Sequence, residues 1–459
     1  MTSIITPEAV GALRGALRGA VLAPGQEGYE RETAAFNLAV PQRPALVAVA
    51  EDAADIAAAV RFAARHDLPV AVQATGHGAV TRVEGALLIG TRRMDGVSVD
   101  PATATARIEA GALLSQVIEA AAPHGLAPLT GSAPGVGAVG YVLGGGLSPI
   151  GRTHGYAADH VRALEVVTAD GSLRYVDAVT EPDLFWALRG GKGNFGVVTA
   201  LTVGLFPIVS LYGGALYFDG SLTGPLLRAY RDWSSGLPET VTTSIALLRL
   251  PPLPQVPEPL RGRFSVAVRV ACLGDRDEAE KLLAPIRAIG EPVLDGVGEL
   301  PFAAIGMIHA DPVDPMPAWE RSLLFQDLPD AVLDALAESA GPDAEAPPFV
   351  VEIRQLGGAL ARQAAPANAV GGRSAAYSLL VVGPPEPEEL TSLVSPIGRR
   401  VLDAVAPWST GGSLPNFQGA ATSPKEVALA WPADVHARLV ALKHRYDPAG
   451  LFRFGHSLV

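Results

Sequence analysis

His77 stands between two glycines in Gln73-Ala74-Thr75-Gly76-His77-Gly78. The run Pro69–Thr75 before it reads as a short strand, so the pattern places an imidazole on a tight turn at a strand end. No 3.6-residue apolar periodicity surrounds this histidine, which argues against a packed core position. A chemically used loop imidazole and an ordinary surface one both remain. Glycine is dense in two further stretches, 131–146 and 190–196. Glycine lets backbone N–H groups approach an anion closely and permits positive φ. Three such clusters in one region fit a backbone cradle around one large phosphate-bearing ligand, and ordinary turns account for any single cluster equally well. Gly135–Gly140 and Gly191–Gly196 both match G-x-G-x-x-G. That fingerprint needs a strand before it and a helix after it, so that a pyrophosphate meets the helix N-terminus. The second match has the reverse order, and Gly144-Gly145-Gly146 cuts short any helix after the first. A Rossmann site is therefore rejected. There is no G-x-S-x-G elbow and no H-E-x-x-H, and the nine histidines lack metal-ligand spacing, so no metal site is expected.

The elements that must hold these residues follow from periodicity. Ala45–Ala50 reads as a strand, and Asp52 and Asp55 open a helix through His66. Gly85–Thr91 is another strand. Val97–Val99 and Ala104–Ala110 form a hairpin around Asp100-Pro101, and Leu113–Ala122 is helical. Val161–Val176 is a second hairpin turning at Asp170-Gly171. Thr180 with Asp183 predicts a capping box for a helix to Leu188, and Val197–Phe206 is a strand. Near Pro207 the pattern changes to longer alternating strands, among them Phe264–Cys272, Phe349–Gln355 and Ser378–Val382, separated by Pro-rich breaks and acidic helices. A last helix runs from Pro432 to Tyr446.

The 459 residues exceed one ordinary domain core, and 49% hydrophobic with 18% charged residues suits a globular chain. A net charge of −12 without a basic stretch argues against nucleic acid as a partner. The single cysteine, Cys272, excludes an intrachain disulfide and a cysteine cluster for zinc or iron–sulfur. No signal peptide and no membrane-spanning apolar run is evident, so a cytoplasmic protein without a membrane partner is expected.

Taken in order along the chain, the motifs resemble one family. The histidine loop resembles the R-S-G-G-H-S loop of the berberine-bridge-enzyme-like flavoproteins, a branch of the vanillyl-alcohol-oxidase (p-cresol-methylhydroxylase, PCMH-type) FAD superfamily. Val136-Gly137 through Gly146 resembles its V-G-x-x-G-x-x-x-G-G-G segment, and His154–Asp159 its Y-G-L-A-A-D. Asp183–Gly191 and Gly193–Thr199 match almost completely, and Asn416-Phe417 with Lys443, Tyr446-Asp447-Pro448 and Phe452-Arg453 match as well. The resemblance is weakest between about 210 and 405. It implies an α+β, two-domain PCMH-type fold: an FAD-binding domain over 1–207 with its core at about 40–207, an antiparallel-sheet substrate domain covered by helices over 208–410, and a C-terminal return over 411–459.

The resemblance further implies FAD as cofactor, bonded covalently to His77 at the flavin 8α-methyl. The binding residues it implies are Gln73, Ala74, Thr75, Gly76 and Gly78 of the loop, and Gly131, Ser132, Gly135, Gly137, Gly140, Tyr141, Gly144 and Gly145 of the glycine segment. Asp159, Gly196, Val197, Val198 and Asn416 complete the set. Ala133 stands where many members carry a second, cysteine link, so a single link is expected. Val136 falls at the position that lines the oxygen approach. The implied activity is an oxidase that passes hydride from a small organic substrate to flavin N5, with O₂ as acceptor giving H₂O₂. The chain departs from the family at Gln73, where an Arg is usual, at Thr75 and at Gly450. It also departs at Leu414 and Leu147, where tyrosine bases are usual. Glu352, an isolated carboxylate in a strand expected to line the substrate cavity, is the candidate base, its pKa raised by burial; the alternative is a solvated strand face on which it pairs with Arg354. Tyr141 and Tyr377 are further candidates. The missing tyrosines keep open a non-redox cyclase or tailoring enzyme on the same scaffold, and an FAD-binding protein with a decayed site.

Overall fold

In the computed structural model, residues 5–345, 348–384, 395–421 and 423–459 are described. Asp52 caps the helix Ala53–Arg65 by accepting the amides of Ala54 and Asp55, which are donors that the first turn leaves without intrahelical partners. The buried stripe of Ile56, Val60 and Ala63 packs on a four-stranded sheet. Its spatial order is Val21–Leu22, Leu46–Val49, Leu87–Gly90, Val70–Gln73, and the last three strands are parallel. Parallel strands covered on both faces read as continuous apolar runs, as Leu46–Val49 and Leu87–Gly90 do. Val70–Gln73 ends at the histidine loop.

A five-stranded antiparallel sheet follows, ordered Val97–Asp100, Thr105–Glu109, Val197–Gly204, Val161–Val167, Leu173–Asp177. Both hairpins expected from Asp100-Pro101 and Asp170-Gly171 form. The capping box expected at Thr180 does not. The helix Pro182–Leu188 starts instead from Glu181, which takes φ of 56° and gives no side-chain cap. Asp177 already holds the loop by accepting the amides of Val179 and Thr180, and Pro182 pre-sets the first helical φ.

Beyond Pro207 lies an eight-stranded antiparallel sheet. Its main path runs Leu294–Asp295, Ser210–Asp219, Phe264–Cys272, Val241–Arg249, Val350–Gln355, Tyr377–Gly383, Trp319–Phe325, with Gly298–Pro301 also pairing on Ser210–Asp219. The helices Thr223–Ser235, Arg276–Arg287, Asp330–Ala340 and Pro396–Val405 cover one face, burying Val266, Val268, Val270, Val351, Ile353, Tyr377, Leu379 and Val381 against them. Side chains alternate across a strand. Arg269, Glu320, Glu352 and Arg354 therefore point to the opposite face, the one turned toward the glycine-rich region. The final helix Ala433–Tyr446 returns to that region, where Lys443 Nζ donates to the carbonyls of Asn194 at 2.8 Å and Phe452 at 2.6 Å.

Candidate active site

A cavity of about 510 Å³ lies between the histidine loop, the glycine segment and the open face of the eight-stranded sheet. His77 is on its wall. The ring stacks on Phe36 with centroids 3.7 Å apart and 14° between planes, and Nδ1 lies 2.8 Å from Thr75 Oγ1. Burial pulls its pKa down to about 4, so the imidazole is neutral at physiological pH and keeps a lone pair for bond formation. Gly76 has φ of +77°, and a Cβ there would come within 2.6 Å of Ala35 Cβ, so glycine is required by the turn itself. Gln73, where a cation was missed in the sequence, donates to the Ala34 carbonyl at 2.9 Å. Arg92 supplies a positive charge nearby, braced on the carbonyls of Ala74, Arg31 and Ala34. Nothing local in the sequence marks Arg92, because it reaches the loop from the end of a neighbouring strand.

The residues on the wall suit a large anionic cofactor. Among the described residues the amides of Gly76, His77, Gly78, Gly131, Ser132, Ala133 and Gly137 donate to no protein acceptor. Of these, Gly131 and Gly137 are buried, and buried amides rarely stay unpaired. Gly78, Gly140 and Gly193 carry no positive φ, and a Cβ on any of them would meet nothing within 4 Å. Neither turn nor protein packing needs glycine there, yet all three line the cavity. Open space that favours the smallest residue, facing unpaired donors, fits a bulky phosphate-bearing ligand such as FAD.

Ala74, Thr75, Tyr141, Gly196, Val197, Val198, Val136 and Asn416 also line this cavity. Asn416 Nδ2 donates to the Tyr141 carbonyl at 2.8 Å. The Tyr141 hydroxyl has no protein partner among the described residues, and burial raises its pKa. Ala133, the expected cysteine position, is on the wall as well, while Cys272 is buried in the sheet under the helices.

Other expected residues lie elsewhere. Gly135, Gly144, Gly145 and Asp159 are not on the cavity wall. A Cβ on Gly144 would fall 1.9 Å from Asn416 Oδ1, so this glycine admits the C-terminal loop rather than a cofactor. Gly145 has φ of +106° and its carbonyl accepts the Ala158 amide, a role in the turn. Asp159 accepts from the Tyr156 amide and Asn368 and pairs with Arg373, which commits it to holding two loops together. Tyr377 faces the helices and hydrogen-bonds Ser234 Oγ at 3.2 Å, far from the cavity face.

Glu352 faces the right side of the sheet but lies below the cavity wall. Its Oε1 accepts from Ser244 Oγ and Arg269 Nη1, each at 2.7 Å, and lies 3.3 Å from His309 Nε2; its Oε2 accepts from Arg354 Nε at 2.7 Å. Burial pushes its pKa up, but the charges of Arg354 and Arg269, with His309, outweigh it and hold the carboxyl well below the usual range. The pairing with Arg354 forms, but on a buried face rather than the solvated one expected, and the expected raised pKa is reversed. Glu352 is too well satisfied to accept a substrate proton.

Glu320 occupies the position that Glu352 was expected to fill. It lines the cavity, and burial raises its pKa to about 7 against the lowering pull of Lys192 and Arg354. Lys192 also lines the cavity; its Nζ lies 3.2 Å from His456 Nδ1, and burial brings its pKa down to about 8. Lys192 sits inside the second G-x-G-x-x-G, a signal that was legible and given no role.

Residues 44–177 match the family model described as an FAD binding domain. The chain is 27% identical to the (R)-6-hydroxynicotine oxidase of Paenarthrobacter nicotinovorans, covering 96% of this chain and 97% of that one. Its structure superposes on the crystal structure of 6-hydroxy-D-nicotine oxidase from Arthrobacter nicotinovorans with a TM-score of 0.83 at 26% identity, over 96% and 98% of the two chains. A glucooligosaccharide oxidase from Acremonium strictum, whose FAD is described as 6-S-cysteinyl, 8α-N1-histidyl, shares the fold with a TM-score of 0.83 at 24% identity, over 98% and 99%. No helix among the described residues is long and apolar enough to cross a membrane.

Proposed function

We propose that the chain, similar along its whole length to FAD-linked oxidases and carrying an FAD binding domain, is a PCMH-type oxidase with one covalent link to FAD, through His77. When bound, FAD supplies the hydride acceptor at N5 and, on reoxidation by O₂, yields H₂O₂. The observation that carries the covalent reading is the neutral His77 imidazole on the cavity wall, stacked on Phe36 and oriented by Thr75, with Ala133 rather than cysteine across the site. The residues that would hold the cofactor are the loop 74–78, the unpaired amides of 131–137, and Gly196 to Val198.

This reading assigns the rest of the cavity to a small organic substrate. Glu320 accepts the hydroxyl or ammonium proton that must leave as the adjacent C–H is oxidised. Lys192 and Arg354 keep enough of its ionised form available near neutral pH. The same reading divides the chain into an FAD-binding part, 1–207, a substrate part, 208–410, and a C-terminal return, 411–459. A single buried thiol suits a cytoplasmic location.

Acid-precipitated protein should stay yellow, and His77→Ala protein should release its flavin on precipitation. Anaerobic addition of candidate alcohols and amines should bleach the flavin, and air should then restore the colour with stoichiometric peroxide. A colourless pellet removes the covalent link. Turnover of a substrate without any bleaching makes the enzyme a non-redox user of the scaffold.

A further inference from the structure

Arg354 leaves the strand Val350–Gln355 on the cavity side and is held from below. Its Nε is tied to Glu352 Oε2 at 2.7 Å, and its guanidinium lies over the Phe417 ring, 5.0 Å from the centroid. Glu352 is itself immobilised by Ser244, Arg269 and His309. Glu352 thus faces two arginines directly, and Glu320 and Asp311 act on them only at longer range. Among the described residues, neither Nη of Arg354 has an acceptor. Glu320 lies on the same sheet face without forming an ion pair to Arg354, and Lys192 Nζ is engaged with His456. A guanidinium presents two parallel donors that match a carboxylate, and such pairs are stronger than neutral hydrogen bonds. Fixing the fork beforehand reduces the ordering cost of binding.

Building on the oxidase reading, we propose that Arg354 is the substrate anchor and that the enzyme oxidises small organic acids, monocarboxylates carrying the alcohol or amine that donates hydride. Phe417 forms the platform under the guanidinium, and Glu352 is a positioning residue that aims it. A single positive fork beside the Glu320 carboxylate favours one negative charge on the substrate over two.

Benzoate is the probe, with benzamide as its neutral counterpart. The FAD-loaded protein is titrated while flavin absorbance is followed, and calorimetry repeats the titration without relying on that signal. Benzoate should bind saturably, and Arg354→Gln should weaken it about tenfold to a hundredfold, as loss of a charge-assisted pair predicts. Arg354→Lys should fall between the two, because it keeps the charge and loses the fork. Benzamide should bind parent and variants alike. Equal benzoate affinity in parent and Arg354→Gln overturns the proposal, as does loss of FAD from Arg354→Gln with unchanged benzoate binding, which would give the arginine to the cofactor. Failure to produce peroxide would sink the oxidase reading and leave this binding result standing on its own.

Discussion

At the scale of the residue, the site turns on which carboxylate is free. Glu352 and Glu320 are both strand residues facing the same side, and local sequence gives no way to rank them. Glu352 is surrounded by donors and stays ionised. Glu320 faces the cavity with its pKa raised to about 7. A base works in its ionised form, so kcat/KM of the parent should climb as pH rises through about 7 and level off above it. Glu320→Gln should remove that limb and slow flavin reduction by about 10²- to 10⁴-fold at unchanged FAD content. Stopped-flow reduction across pH checks this, and an unmoved profile excludes Glu320. Glu352→Gln should act differently. A depressed carboxyl stabilises the fold above its unfolded pKa of about 4.3, and that contribution is lost as pH falls through the folded value. The variant should therefore lose stability at neutral pH, and its stability should respond less to acid than the parent's, as urea melts at several pH values would show.

At the scale of the element, strand parity decides what can reach the cavity. Tyr377 pairs with Gln355 and Phe325 on neighbouring strands and points under the helices. Tyr377→Phe should cost about 1 kcal/mol through the lost bond to Ser234 and leave flavin reduction unchanged. A large kinetic effect without destabilisation would contradict this placement. Parity was legible in Phe264–Cys272, where the alternating apolar set is the one packed against the helices, although both faces of the strand are buried. It was not legible which face would be helix-covered, because that depends on how Thr223–Ser235 and Asp330–Ala340 dock from far along the chain. The same limit explains the rest. The His77 loop was readable because strand, turn and imidazole are contiguous. Phe36, Arg92 and His456 reach the site from elsewhere in the sequence, and no spacing announces them. Gly144 looked like a cofactor glycine because close approach by Asn416 and close approach by a phosphate leave the same mark.

At the scale of the whole molecule, the last helix fastens the chain. Lys443 is fully buried with Asp447, and it also bridges Asn194 and Phe452. Removing one partner of such a pair strands the other charge, so Lys443→Met should cost about 3–5 kcal/mol in urea denaturation. A loss below about 1 kcal/mol would show that water compensates the pair. This fastening also orders events in time. The cavity wall takes Phe36 and the His77 loop from early in the chain, and Asn416, Phe452 and His456 from very late in it. A ribosome releases these parts in sequence, so a nascent chain stopped before residue 416 has the histidine and the glycines but no closed compartment. Flavin capture should therefore follow translation, and cells short of riboflavin should accumulate full-length, colourless protein that can still be loaded rather than truncated or half-loaded chains.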